Sequence, residues 1–377
     1  MNYIVNQIHI LKNILLLNFY IHIIYILYKF VFKGLILYIF KMNSNILKKI
    51  TPTMLNKFTR NFSVIHTSNW VSNLYENTLW VDKNNSIGAS FRNTKRNKNL
   101  DELKVENIIL DFSGTCVDAF TLAPAIAFVE VFKKYNINIC IENAVKKPMG
   151  LYKREHIKYI LNMDDVKKQW FKEYNRESTE DDLNNIYKDF IKLQIDVLPE
   201  YCKPLPKVVE TMEFLRNTGI KFGGCSGFSR EMINTILENT KDKGLYFEST
   251  FLADDIKDKN KIFLGGRPYP FMIYENLFKL ENKNISQCIK VDDSAVGIEE
   301  GLAANCWTIG ISNYSNYINV NSLEEYSQMS ELEKRERKDN SKKKLAESGC
   351  HYVIGEFEEL IYVVDDINHR LKNGERP

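Results

Sequence analysis

The chain has 377 residues, 44% hydrophobic and 26% charged, with a formal net charge of +3, which reads as a globular protein with room for two domains plus extensions. Residues 1–100 carry 13 Lys/Arg against 2 Asp/Glu and the remainder 38 against 46, so the folded part is net acidic, which argues against nucleic-acid binding. Seven scattered cysteines without a Cys-x-x-Cys pair argue for reduced thiols and against a disulfide framework or a zinc site.

Residues 1–41 are apolar and acid-free, but their longest uncharged run, 13–28, spans 16 residues, short of the roughly 20 that a membrane helix wants. An anchor, a signal and an upstream gene-model artefact all fit, and membrane contact is expected only if this segment is real and retained. Residues 42–104 open with "MNSNILKKITPTMLNKFTRNFSVIHTSN", basic and hydroxyl-rich like a transit peptide, and end in a polar linker. A mitochondrial or other organellar location follows from that reading, with cytoplasmic or membrane-anchored alternatives.

The texture changes at Val105. Val105–Phe112 is a buried-strand run, and Leu122–Lys134 reads as a helix with Pro124 in its first turn. Residues 141–200 have helical periodicity and almost no strand signal. Next come a helix, a glycine stop and a short strand ending at Ser226. "TFLADDI", "QCIKVDDS", "AANCWTIGIS" and "HYVIGEF" supply further strands, separated by helices, and the charge-laced stretch 322–348 reads as one solvated helix. The pattern predicts an α/β fold, a Rossmann-like doubly wound parallel sheet. An all-helical cap at 121–204 interrupts it, leaving a core of 105–120 plus 205–377.

Asp111, Ser226, Arg267 and the pair Asp292/Asp293 all fall at or just after strand ends. In an open α/β sheet such ends converge on one crevice. A carboxylate there serves as a nucleophile, a second shares a Mg²⁺, and Ser226, the Gly227 backbone and Arg267 hold phosphoryl oxygens.

This ordered set, carried by "DFSGT", "CSG" and "VDDS", resembles the haloacid dehalogenase superfamily. "KKPMGLYKREHI" and "GGRPYPFMIYENLF" narrow the resemblance to its phosphonoacetaldehyde hydrolase branch, over some 260 residues from Val105. The resemblance implies Asp111 as nucleophile, Lys153 as Schiff-base lysine, His156 as proton shuttle and Met149 beside the reaction centre. It also implies phosphate binding by Ser226, Gly227, Arg267 and Gly114, and a Mg²⁺ on Asp111, the Ser113 carbonyl and Asp293. A small phosphonate substrate and a homodimer through the cap are further implications.

Phosphatases of the superfamily usually carry a second aspartate two places after the nucleophile, as general acid. Here that place is Ser113, which suits C–P cleavage, where an iminium rather than a proton must accept the electron pair. Two departures stand out: Gly297 where the second acid of the last motif belongs, with compensation by Asp292 or Glu299 and weaker Mg²⁺ binding as the alternatives, and Phe228 where tyrosine is common. Two rivals stay open, a Mg-dependent phosphomonoesterase on a small phosphorylated metabolite and a catalytically degenerate phospho-ligand binder.

Overall fold

The computed structural model describes residues 103–257 and 263–377, so the expectations for residues 1–102 fall outside the described residues. No helix among the described residues is long and apolar enough to cross a membrane.

Six parallel strands form one sheet: β1 (Asn107–Leu110), β2 (Lys221–Gly224), β3 (Ser249–Thr250), β4 (Cys288–Asp292), β5 (Trp307–Ile311) and β6 (Tyr352–Ile354). Their order is β3-β2-β1-β4-β5-β6. Every residue of β1, β4 and β5 is buried, as expected of strands covered on both faces. Chain order reverses on either side of β1, which pairs with β2 through Leu110↔Gly224 and with β4 through Leu110↔Val291. The carboxyl ends of these three strands therefore open into the crevice where ligands bind in such sheets.

Between β1 and β2 lie an insertion of four helices, α1 (Leu122–Lys134), α2 (Lys153–Leu161), α3 (Asp164–Tyr174) and α4 (Glu180–Tyr201), with a π-turn at Ile141–Lys146, and then a fifth helix, α5 (Val208–Asn217), directly before β2. Thr179 and Asp182 start α4 with a capping box, and Leu183, Ile186, Phe190, Gln194 and Leu198 bury one stripe of it. Phe128, Ile157, Trp170 and Phe190 of this insertion belong to the same apolar cluster as Ile108, Phe222 and Val291 of the sheet. The chain enters the insertion through a strained turn, with Asp118, Phe120 and Thr121 all at positive φ.

After β2 come α6 (Arg230–Thr240), α7 (Phe271–Lys279), α8 (Ala295–Ala303), α9 (Leu323–Gln328), α10 (Glu331–Glu347) and α11 (Leu360–Lys372). Two local expectations change. The strand expected at "TFLADDI" ends at Thr250, because the Asp255 carboxylate accepts from the Leu252 N–H at 2.9 Å and closes a 3-10 turn over Ala253–Asp255. The single charge-laced helix is two, because Ser330 caps a new helix by accepting from the Glu333 N–H at 3.2 Å.

Candidate active site

Asp111 follows β1 directly and is 5% exposed. Its Oδ1 accepts from Arg267 Nη2 at 2.8 Å. Burial pushes its pKa up to about 6; Arg267 opposes that shift and Asp292 adds to it. Arg267 is buried and reaches three carboxylates, with Nη2 also 3.1 Å from Asp292 Oδ2 and Nε 2.9 Å from Glu300 Oε2. Lys290, in the middle of β4, places Nζ 2.9 Å from Asp292 and 3.7 Å from Glu300. Burial pushes Asp292 toward its neutral form, but Arg267 and Lys290 outweigh it and hold the carboxyl below its usual range.

Asp293 is different. It is 3% exposed, and among the described residues its Oδ2 accepts only from the Thr121 hydroxyl and the Asn316 N–H, each at 3.4 Å. Burial, with the Asp292 and Asp111 charges beside it, drives its pKa well above the usual carboxylate range. The carboxylates of Asp111, Asp292 and Asp293 offer oxygens within 4.8 Å of one another. Counting Glu300, four buried carboxylates here face two buried cations, Arg267 and Lys290. The unbalanced charge falls beside Asp111 and Asp293, so the donor set fits a divalent cation there.

Gly114 sits against this acid. Its φ is +78°, and a Cβ added there would lie 2.3 Å from Asp293 Oδ2, so only glycine lets the loop after Asp111 approach so closely. The sequence expectation made it a phosphate ligand. Its N–H instead donates to Val117 O at 2.8 Å and Asp118 O at 3.0 Å, so the local turn already uses that donor. Ser113 turns its hydroxyl to Asp118 Oδ2 at 2.8 Å. Asp118 Oδ1 accepts from the Leu122 and Ala123 N–H groups at the start of α1, tying the loop after Asp111 to the insertion.

The insertion delivers Lys153 from above, at the first residue of α2. Two glycines let the preceding segment touch the sheet loops. A Cβ at Gly150 would meet Ser294 Oγ at 2.6 Å, and one at Gly227 would meet Leu151 O at 2.3 Å. The Lys153 N–H donates to Gly227 O at 3.1 Å. Its Nζ lies 3.8 Å from Met149 Sδ and over the rings of Phe228 and Phe128, 5.0 and 5.7 Å from their centroids. Among the described residues, no carboxylate lies within ion-pair distance of it. Burial lowers its pKa to about 8, against a smaller upward pull from Asp111.

A small cavity joins these groups, lined by Asp111, Ser113, Thr121, Met149, Gly150, Lys153, Ser226, Gly227, Phe228, Arg267, Asp293 and Ser294. Its enclosed space is only about 20 Å³, far below ordinary ligand sites of roughly 300–1,000 Å³, so it suits a small molecule only. Ser226 Oγ accepts from the Phe228 N–H at 3.2 Å. His156 does not line the cavity. Its Nε2 lies 2.8 Å from Ala144 O, Nδ1 has no partner, and burial with the adjacent Lys153 charge lowers its pKa to about 3. The sequence reading missed Lys290, Glu300, Asp118 and Thr121. A lysine inside an otherwise apolar strand run, "CIKVD", was the available signal for the first.

A family profile of haloacid dehalogenase-like hydrolases matches residues 108–311. The chain is 35% identical over 274 residues to the phosphonoacetaldehyde hydrolase of Aeromonas hydrophila, covering 72% of this chain and 95% of that one. It is 36% identical over 275 residues to the phosphonoacetaldehyde hydrolase of Klebsiella pneumoniae, covering 73% and 99%. Among solved structures, a phosphonoacetaldehyde hydrolase-like protein from Oleispira antarctica superposes with a TM-score of 0.68 at 34% identity, over 72% of this chain and 96% of that one. Profile, relatives and fold agree with a lysine and a strand-end aspartate facing one small cavity, and the chain belongs to the phosphonoacetaldehyde hydrolase branch of the haloacid dehalogenase superfamily of hydrolases.

Proposed function

We propose that the protein hydrolyses phosphonoacetaldehyde to acetaldehyde and phosphate. The observation that carries this reading is Lys153: a buried amine without an acidic partner among the described residues, held near pKa 8, in the same small cavity as Asp111. At neutral pH a useful fraction of that amine is uncharged and nucleophilic. The names of the curated relatives support the same substrate.

Lys153 Nζ adds to the aldehyde carbon, and loss of water gives a protonated imine. A carboxylate oxygen of Asp111 then attacks phosphorus opposite the P–C bond. The electron pair of that bond moves into the iminium and yields an enamine on Lys153 together with an aspartyl phosphate. Protonation of the enamine carbon and hydrolysis of the resulting imine release acetaldehyde. Water cleaves the aspartyl phosphate. Arg267 and Ser226 hold phosphoryl oxygens through these steps. Asp111, Asp293 and the Ser113 carbonyl would hold a Mg²⁺, which would neutralise phosphoryl charge when bound. His156, partnered to Ala144 O behind Lys153, orients the roof of the cavity.

The test uses the purified chain with Mg²⁺ and phosphonoacetaldehyde. Borohydride present during turnover should leave a reduced adduct on Lys153, read by peptide mass spectrometry, and its omission should allow acetaldehyde release. Phosphate esters turned over with no adduct and no acetaldehyde would transfer the assignment to the phosphomonoesterase reading.

A further inference from the structure

Asp292 and Gly297 fit each other in space. A Cβ added at Gly297 would lie 2.0 Å from both Cγ and Oδ2 of Asp292 and 2.3 Å from its Oδ1. The Asp292 carboxylate thus fills the place from which any side chain at position 297 would start. Gly297 lies in the first turn of α8 and is not among the residues at positive φ, so it is space and not backbone conformation that requires glycine there.

The carboxylate is fully buried and held from two sides. Its Oδ1 accepts from the Ser294 N–H at 3.0 Å and the Ser294 hydroxyl at 2.7 Å. Its Oδ2 faces Lys290 Nζ at 2.9 Å and Arg267 Nη2 at 3.1 Å. The same Nη2 donates to Asp111 Oδ1 at 2.8 Å and to Cys225 O at 3.0 Å. One terminal nitrogen of Arg267 is therefore shared between Asp111 and a second, immobilised carboxylate. Without that second acid nothing on this side would balance the pull of Asp111. With Nε still on Glu300, the terminal Nη2 would be left with Asp111 as its one carboxylate, quenching that charge and drawing the nitrogen away from an incoming anion.

We propose that Asp292, given room by Gly297, is the positioning residue that shares Arg267 with Asp111 and keeps the guanidinium aimed at the phosphoryl group. The inference rests on the reading in which Arg267 takes phosphoryl oxygens. It also accounts for the missing acid at position 297: the carboxylate enters the same space from the end of β4 instead of from α8.

The probe is inorganic phosphate, titrated calorimetrically into the full chain with Mg²⁺. Three proteins are compared: the unaltered chain, Asp292→Asn, and the exchange Asp292→Gly with Gly297→Asp. Asp292→Asn should weaken phosphate binding on the order of 30-fold or more, the usual effect of removing one partner of a buried charged contact. Its kcat on phosphonoacetaldehyde should fall while borohydride trapping on Lys153 persists, since imine formation does not use Arg267; a collapsed site would lose both. The exchange should recover most of the phosphate affinity. Unchanged affinity in Asp292→Asn overturns the proposal, as does an exchange that binds no better than the single variant or does not fold. Should Asp292→Asn itself not fold, the exchange decides alone. An unaltered chain that binds phosphate but releases no acetaldehyde would overturn the assigned reaction, and the phosphate affinities would still decide the role of Asp292. An unaltered chain that binds no phosphate would overturn the role of Asp292 directly.

Discussion

Two buried lysines face this site from opposite sides, and their surroundings set them to opposite tasks. Lys290, on the sheet side, has Asp292 and Glu300 beside it and Cys225 Sγ at 3.1 Å. Burial works to lower its pKa, but the Asp292 charge reverses the shift and keeps it protonated. Lys153, on the insertion side, has a thioether and two aromatic rings, and burial prevails. Ring faces attract a cation by only about 0.5–2 kcal/mol, less than a paired carboxylate in the same dry surroundings. Placement of acids, and not depth alone, decides which lysine stays a fixed cation and which has its pKa brought down toward neutrality.

The largest expected effect comes from abolishing the unpaired lysine. Lys153→Met should lower acetaldehyde release by on the order of 10⁴-fold or more, the scale seen when a covalent nucleophile is removed. Lys153→Arg should be equally inactive, because a guanidinium does not form an imine at working pH. The same Lys153→Met variant should be more stable at pH 7. The amine titrates at about 8 in the fold against 10.5 ordinarily, so between those values the unfolded chain binds more protons and stability rises with pH. Below about pH 8 the full penalty, on the order of 3 kcal/mol, weighs on the native chain. A melting-temperature gain for Lys153→Met that is largest below pH 8 and shrinks toward pH 10.5 is the expected result. A gain independent of pH would break the comparison.

Lys290→Met attacks the other side. It strands Asp292 and Glu300 with Arg267 as their sole buried cation among the described residues. Removing one partner from a buried ion pair costs about 3–5 kcal/mol, so chemical denaturation should show a loss of that size. A variant as stable as the unaltered chain would mean that the sheet-side acids are not charged as described.

Much of this contrast was readable in the sequence, though not its detail. An apolar run stopping at Asp111, a helical block before the next strand and a lysine in "PMGLYK" are local patterns, and each one led to the right element. The turn at Leu252–Asp255 was missed because a side-chain carboxylate replaced strand pairing there. Gly114 was assigned a ligand's role, but its value is the missing Cβ against Asp293, a reason that exists only once residues 179 positions apart meet. The Arg267–Glu300 and Arg267–Asp111 pairs likewise join residues distant in sequence. Gly297 looked like a lost acid because a linear motif records position and not the space that Asp292 fills.

The smallest effect sharpens the comparison most directly, by making the insertion-side lysine resemble its counterpart. Met149 Sδ lies 3.8 Å from Lys153 Nζ, so Met149→Glu brings a carboxylate within reach of the amine. An opposite charge at that range favours the protonated form and raises a lysine pKa by about 1–2 units. At pH 7 the uncharged fraction, and with it imine formation, should fall about 10–100-fold. The loss should disappear as pH rises past the new pKa, whereas Met149→Leu should keep the original profile. The measurement is the pH dependence of borohydride trapping on Lys153. An upward-shifted profile would establish that the absence of an acid is what makes this lysine reactive. A loss equal at every pH would mean that Met149 acts through packing, and that the acid-free surroundings of Lys153 do not set its protonation.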